Sequence, residues 1–272
     1  MGLRAARVMA ALPRIMLAPN GARLSKADHP ALPVTIPEIV AAARAGRAAG
    51  ADGLHAHVRD AEGRHVLDAG LYAELLAELD RAAPGFPVQV TTEAVGRYTP
   101  AEQRALVERL RPASVSIAFR EISAEPDPRL TRRFFAFCAE AGCHVQHILY
   151  DLTDVAGLAA AVADGTVSEA DLAVLIVLGR YTAGQRSAPE DLEAPVQRLR
   201  DLLPEADWAI CAFGPRETEC LVAASRKGGK MRIGFENNLL QADGTPAPDN
   251  AARVSELVAA LEAAGQGAEA PA

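Results

Sequence analysis

The sequence predicts a single-domain α/β fold, a (β/α)8 TIM barrel, on three observations. Strand-like and helix-like stretches alternate eight times in about 250 residues, the count of such a barrel. Several strands, Leu172-Ala173-Val174-Leu175-Ile176-Val177-Leu178 among them, are apolar throughout, as strands covered on both faces are. The competing architecture is an open doubly wound sheet, whose dinucleotide-binding form would carry a GxGxxG turn, and no such turn is present.

The units follow in order. A strand over 14–19 leads to a helix over 36–49, whose start is marked by Thr35-Ile36-Pro37-Glu38, a capping box with proline in the first turn. The second unit pairs 52–58 with 70–83. The third pairs 87–92 with 100–111, opened by the box Thr99-Pro100-Ala101-Glu102. Strands over 113–119 and 144–150 precede helices over 128–141 and 155–164. The sixth unit joins 171–179 to 188–203, with Ser187-Ala188-Pro189-Glu190 read as a third capping box. Strands over 207–213 and 231–235 with helices over 215–227 and 249–264 complete the set. The barrel therefore spans 14–264, between an N-terminal extension (1–13) and a flexible tail (265–272) rich in Ala, Gly and Glu.

Composition narrows the function. A net charge of −7 with no Lys/Arg-rich run argues against nucleic-acid binding, which draws on phosphate neutralisation. Cys138, Cys143, Cys211 and Cys220 form no CxxC pair and read as reduced, buried thiols of a cytoplasmic protein. Arg4 and Arg7 ahead of Val8–Leu12 faintly resemble a signal peptide. Pro13 and Arg14 cut the apolar run too short for one, and Met9 would serve equally well as a start. No stretch reaches the roughly 18 apolar residues a membrane span needs, so a soluble protein is expected.

The most informative segment is Leu54-His55-Ala56-His57-Val58-Arg59-Asp60. On a strand, residues two apart share a face, so both imidazoles reach one metal ion, whereas a helix would splay them by about 200°. In a barrel, chemistry gathers at the C-terminal ends of the strands. That rule collects His55 and His57 after the second strand and Thr91, Thr92 and Glu93 after the third. It adds Ser116 to Glu121 after the fourth, Glu236-Asn237-Asn238 after the eighth and Asn20 to Arg23 after the first. Two imidazoles and a carboxylate form a recurrent catalytic metal set, and Glu236 is the best third ligand. Zinc suits these donors, as would manganese, iron(II) or nickel. On the residues alone, separate structural roles for the three remain open.

Gly53-Leu54-His55-Ala56-His57-Val58-Arg59-Asp60 resembles the HxHVRD signature of the β-keto acid cleavage enzymes. Gly228-Gly229-Lys230-Met231-Arg232-Ile233-Gly234-Phe235-Glu236-Asn237-Asn238 resembles their GGxxRxGxEDN segment. Weaker likeness extends over roughly residues 14–264. The resemblance implies a zinc-bearing barrel, usually a homotetramer, that converts a β-keto acid and acetyl-CoA into acetoacetate and a new acyl-CoA. It implies His55, His57 and Glu236 as zinc ligands and Arg232 as an active-site arginine. A chelated β-keto carboxylate is acidified at C2, and its enolate can attack a thioester.

Four departures from the family pattern bear on the chemistry. Asn237 stands where the family carries an aspartate, and an amide is no general base. Thr91-Thr92-Glu93-Ala94 replaces a glycine-rich turn, which makes Glu93 a candidate substitute base; a solvated carboxylate paired with Arg97 is the plain alternative. Strand five lacks the family's acidic run: Gln146 and Ile148 cannot do acid work, and His147, free to titrate near neutrality, lies on the other strand face. Arg23 stands where members that cleave 3-keto-5-aminohexanoate present an acid, so a dicarboxylic or otherwise anionic β-keto acid is expected. Thr91, Thr92 and Ser116 complete the expected substrate contacts. His29 and His144 read as structural, as do Arg59 and Asp60. Arg180, Tyr181 and Arg186 are candidates to meet CoA phosphates. A metal-dependent hydrolase or C–C lyase, and a non-catalytic metal or metabolite binder, are the competing readings.

Overall fold

The computed structural model describes residues 11–265. Eight strands form one closed, all-parallel barrel in chain order: β1 (Ile15–Leu17), β2 (Gly53–Ala56), β3 (Val88–Thr91), β4 (Ser114–Ala118), β5 (His144–Leu149), β6 (Ala173–Leu178), β7 (Asp207–Ala212) and β8 (Lys230–Ile233). β8 returns to β1 with Met16 opposite Arg232, which closes the ring. The surrounding helices are α1 (Ile36–Ala48), α2 (Ala69–Ala82), α3 (Pro100–Leu110), α4 (Phe119–Ile122), α5 (Pro128–Glu140), α6 (Leu152–Ala163), α7 (Glu193–Leu202), α8 (Glu217–Arg226) and α9 (Asn250–Ala263). The barrel expectation holds. Among the described residues no helix is long and apolar enough to cross a membrane.

Alternation along the strands sorts two hydrophobic layers. Val174, Ile176 and Leu178 of β6 point out and join the large cluster beneath the helices. Ala173, Leu175 and Val177 point in, and with Ala209, Cys211, Phe213 and Ile148 they fill one side of the barrel lumen. The expected extension up to residue 10 and the tail from 266 lie outside the described residues. Leu12, by contrast, packs into the lumen cluster, and its N–H donates to Asp207 Oδ2 at the first residue of β7. The four cysteines are free and buried, as their spacing predicts.

Thr35 and Thr99 close reciprocal capping boxes on α1 and α3. Ser187 does not. Its hydroxyl donates to the Phe213 carbonyl, and a short 3-10 turn over Pro189–Leu192 precedes α7. Asp191 Oδ2 there accepts the Ala188 N–H, one register along from the expected Glu190. Several other ends also differ from the sequence reading, and three have a local cause. α6 begins at Leu152, because Asp151 accepts the N–H groups of Thr153 and Asp154. β2 ends at Ala56, two residues early. β8 ends at Ile233, because Gly234 (φ +143°) passes so close to Ala18 that a Cβ would lie 2.4 Å from its carbonyl oxygen. Both truncations fall at the C-terminal mouth, where functional side chains take over from the ladder.

Candidate active site and metal centre

His57 lies one residue past β2, where β1 no longer offers backbone partners. The Asn20 side chain stands in for the missing strand: Nδ2 donates to the His57 carbonyl (2.9 Å) and Oδ1 accepts its N–H (3.4 Å). His57 thus keeps the extended geometry that sets it beside His55. Arg59 braces the same region by donating to the carbonyls of Gly21 (2.6 Å), Gly63 (2.9 Å) and Leu24 (3.1 Å), the structural role expected of it.

His55 Nε2 and His57 Nε2 face one another at 3.0 Å, and Glu236 Oε2 is 3.5 Å from each. The three ligand atoms lie within 4.8 Å of one another, the sole such cluster of metal-ligating groups among the described residues. Glu236 arrives through the turn after β8, and Gly21 (φ +57°) makes room for it: a Cβ there would fall 2.5 Å from Glu236 Cγ. Arg232 Nη2 holds Glu236 Oε1 at 2.9 Å and also reaches Cys211 Sγ at 3.2 Å. Glu236 Oε2, buried, has no hydrogen-bond partner.

The protonation of His55 follows from a chain of amides. The Val174 carbonyl can only accept, so Gln146 donates to it through Nε2 (3.2 Å). Gln146 Oε1 then accepts from Gln89 Nε2 (3.0 Å), which leaves Gln89 Oε1 to accept from His55 Nδ1 (2.9 Å). The proton therefore sits on Nδ1, and Nε2 turns a lone pair toward His57 Nε2 and Glu236 Oε2. An unpartnered carboxylate oxygen and a lone-pair nitrogen at this distance fit a divalent cation.

Burial pulls His55 down to about 4 and His57 well below its ordinary value, so both stay neutral, the form that ligates. Burial opposes ionisation of Glu236, but Arg232 and the two histidines outweigh it and hold the carboxyl well below the usual carboxylate range. Glu93 goes the other way. Burial and the Glu236 charge push it up to about 7, against the pull of Arg180 and Arg23.

These groups open onto a cavity of about 420 Å3 at the barrel mouth. Of the residues expected at the site, His55, His57, Glu236, Arg232, Asn237, Glu93, Arg23 and Thr91 line it. Thr92 and Ser116 do not. Thr92 is fully buried with its hydroxyl on the Ser116 carbonyl (3.3 Å), and Ser116 is buried one strand away without contributing to the lining. Glu93 pairs with Arg23 (3.7 Å) and Arg180 (3.9 Å) rather than with Arg97, which donates to the His65 carbonyl instead. Arg180 stacks over Phe213 within the cavity, Tyr181 is exposed on the rim against Tyr150, and Arg186 is not part of the lining. His147 is wedged between Phe119 and Phe135, and burial pulls it to about 3, so it does not titrate near neutrality. His29 packs against Phe235 with the rings tilted by 57°.

Asn20, Gln89, Gln146 and His65 carry roles the sequence reading did not assign. Alternation places Gln89 and Gln146 on the lumen faces of β3 and β5, and two glutamines on inward faces either side of β4 are the signal that was available.

Fold and site together define a (β/α)8-barrel enzyme with a candidate metal centre in its C-terminal mouth. The chain belongs to the beta-keto acid cleavage enzyme family, whose sequence model matches residues 14–272. It is 29% identical to the 3-oxoadipate:acetyl-CoA acetyltransferase of Cupriavidus necator, over 93% of this chain and 89% of that one. It is 24% identical to the 3-keto-5-aminohexanoate cleavage enzyme of Acetoanaerobium sticklandii, over 88% and 87%. Among solved structures, ObcA bound to oxaloacetate shares the fold at TM-score 0.71 and 17% identity, covering 88% of this chain and 65% of that longer one.

Proposed function

We propose that this enzyme cleaves an anionic, dicarboxylic β-keto acid with acetyl-CoA, giving acetoacetate and an acyl-CoA that keeps the one distal carboxylate, at a zinc ion held by His55, His57 and Glu236. The convergence of three ligand atoms on one point, with Glu236 Oε2 lacking any other partner, carries this reading. When bound by His55, His57 and Glu236, a divalent cation would supply Lewis acidity that makes the C2 proton of a 1,3-dicarbonyl easier to remove. Glu93 takes the C2 proton. The resulting carbanion adds to the thioester carbonyl and expels CoA thiolate. The thiolate then adds to the original keto carbon, the C2–C3 bond breaks to release the acyl-CoA, and Glu93 returns its proton to the acetoacetate carbanion.

Glu93 suits that role because it lines the cavity and its affinity for a proton is raised toward neutrality, where a base works best. It stands in for the carboxylate that Asn237 replaces. Arg232 positions Glu236 and keeps a fixed positive charge beside the reacting atoms. Thr91 lines the same wall, with its hydroxyl accepting the Glu93 N–H (3.1 Å).

The cavity's charges support the substrate class. Arg23, Arg180 and Arg232 face Glu93 and Glu236, so the site is cationic even before a metal ion is counted. Arg23 reaches solvent at the mouth, placed for the distal carboxylate of a substrate whose β-keto acid end lies at the metal. The Cupriavidus relative's named substrate, 3-oxoadipate, is such a dicarboxylate. Incubating zinc-loaded protein with a panel of β-keto acids, with and without acetyl-CoA, tests the proposal. Acyl-CoA formed from dicarboxylic members only when acetyl-CoA is present is the expected result. Turnover without acetyl-CoA would establish the hydrolase or lyase reading instead, and preference for an aminated substrate would overturn the anionic one.

A further inference from the structure

His57 has a second buried histidine behind it. After β2 the chain doubles back: Arg59 and His65 form an antiparallel bridge, the Val66 N–H reaches the Val58 carbonyl (3.3 Å), and Gly63 (φ +76°) makes the turn. His65 is 2% exposed. Its backbone carbonyl accepts from Arg97 Nη1 (3.3 Å), and its ring meets Tyr98 edge-on. The ring nitrogens of His65 each have one neighbour. Nε2 lies 3.0 Å from the backbone carbonyl oxygen of Glu93, and Nδ1 lies 3.4 Å from His57 Nδ1.

Only one proton arrangement satisfies both contacts with neutral rings. A carbonyl oxygen can only accept, so His65 carries its proton on Nε2 and offers a lone pair at Nδ1. His57 Nδ1 must then donate to it. The other group near His57 Nδ1 is Glu93 Oε2 at 3.9 Å, also an acceptor. With its proton on Nδ1, His57 presents a lone pair at Nε2, facing His55 Nε2 and Glu236 Oε2.

We infer that His65 is a positioning residue: it sets the tautomer and ring orientation of His57 and thereby completes the metal centre. The inference rests on the reading of His55, His57 and Glu236 as metal ligands. His65 does for His57 what the Gln89–Gln146 chain does for His55, and both relays end on backbone carbonyls, which cannot reverse their polarity. The His57 relay ends on the carbonyl of Glu93 itself. Ligand geometry on β2 and the placement of the β3–α3 loop are therefore set by one side chain.

The test compares the wild type with His65→Leu and His65→Gln. Leucine fills similar space with no polar atom, while glutamine can offer one acceptor and one donor at about the spacing of the imidazole nitrogens. Zn2+ affinity is measured by competition with a chelating dye, thermal unfolding of the metal-free proteins serves as the control, and 15N NMR of the metal-free protein reads the tautomer of His57. His65→Leu is expected to weaken Zn2+ binding about 10- to 100-fold, the usual effect of losing a ligand's outer partner, with His65→Gln restoring most of it. The wild-type spectrum is expected to show His57 protonated on Nδ1, and the Leu variant to gain the Nε2-protonated form. A His65→Leu protein with wild-type Kd, or a Gln variant as weak as the Leu variant, would overturn the inference. So would an Nε2-protonated His57 in the wild type, a result that needs no variant to fold. Failure of the wild type to bind Zn2+ would overturn the metal reading instead, and the NMR result would still judge His65.

Discussion

Gly21→Ala is a sharp perturbation of the proposed centre that replaces none of its ligands. Gly21 sits at φ +57°, so an alanine there carries the left-handed penalty of about 1–2 kcal/mol. Its Cβ would also lie 2.5 Å from Glu236 Cγ, 3.1 Å from its Cβ and 3.2 Å from its Cδ. Carbon atoms rest about 3.5–4.0 Å apart, so Glu236 must move by about 1 Å. A displacement of that size at a catalytic group costs about 100-fold in rate, or about 2.7 kcal/mol of barrier. Gly165→Ala separates the two effects. Gly165 has φ +75° in the turn after α6, with nothing within 4 Å of a Cβ. Both variants should lose the left-handed penalty, and Gly21→Ala more because of its clash with Glu236, with Tm falling by about 2–4 °C per kcal/mol for a chain of this size. Only Gly21→Ala should also lose Zn2+ affinity and kcat/KM. The measurements are differential scanning calorimetry, Zn2+ competition and steady-state kinetics with acetyl-CoA. A Gly21→Ala protein with wild-type metal affinity and turnover would refute the placement of Glu236 as a ligand.

Four further outcomes are expected. Glu93→Gln should lower kcat by about 100- to 10,000-fold while Zn2+ stays bound, as removal of a general base does, and wild-type kcat in that variant would rule Glu93 out. Arg23→Glu should lower kcat/KM for dicarboxylic β-keto acids by about tenfold or more, the worth of one charge-assisted hydrogen bond, and raise it for an aminated analogue; an unchanged ratio between the two substrates would remove Arg23 from specificity. Prolonged chelation should abolish turnover and reduce apparent stability, by about 2.7 kcal/mol relative to protein at a free Zn2+ concentration 100 times its Kd, and full activity in demonstrably metal-free protein would exclude the metal mechanism. His147 should shape the acid limb of stability. Burial lowers its pKa in the folded state from an ordinary 6.5 to about 3, so between those values the unfolded chain binds a proton that the native one does not. Stability contributed by the neutral ring is therefore present above about pH 6.5 and lost as pH falls toward the folded-state value, by roughly a few kcal/mol. His147→Phe should flatten urea-derived stability against pH over that range, and an acid limb as steep as in wild type would refute the assignment.

The barrel was legible because its strands and helices announce themselves locally. Thr35 and Thr99 are followed by glutamates that complete their caps, and β6 is apolar on both faces because both faces are covered. His55, His57 and Glu236 were legible because strand periodicity and the rule of C-terminal ends act on short segments. What stayed hidden depends on contacts between distant strands. Thr92 follows Thr91 directly, yet alternation turns it away from the cavity. Gln146 looked like a lost acid, but across the lumen it orients Gln89 and through it His55. Ser187 matched a capping motif, yet its hydroxyl found the Phe213 carbonyl 26 residues on. Arg97 follows Glu93 by four residues, yet Arg23 and Arg180 reach that carboxylate from other loops.

The amide chain behind His55 spans β2, β3, β5 and β6, while Glu236 comes from beyond β8, which must pair with β1 to close the ring. No contiguous fragment short of the whole barrel can therefore assemble this site. During synthesis Glu236, the last of the three proposed ligands, emerges only after all eight strands have been made, so until then the nascent chain offers a cation the two histidines without their carboxylate. A cation that needs all three ligands binds the closed ring and not the partly folded chain, and such selective binding stabilises closure. Metal supply would then govern how long the finished barrel stays shut rather than how quickly it forms.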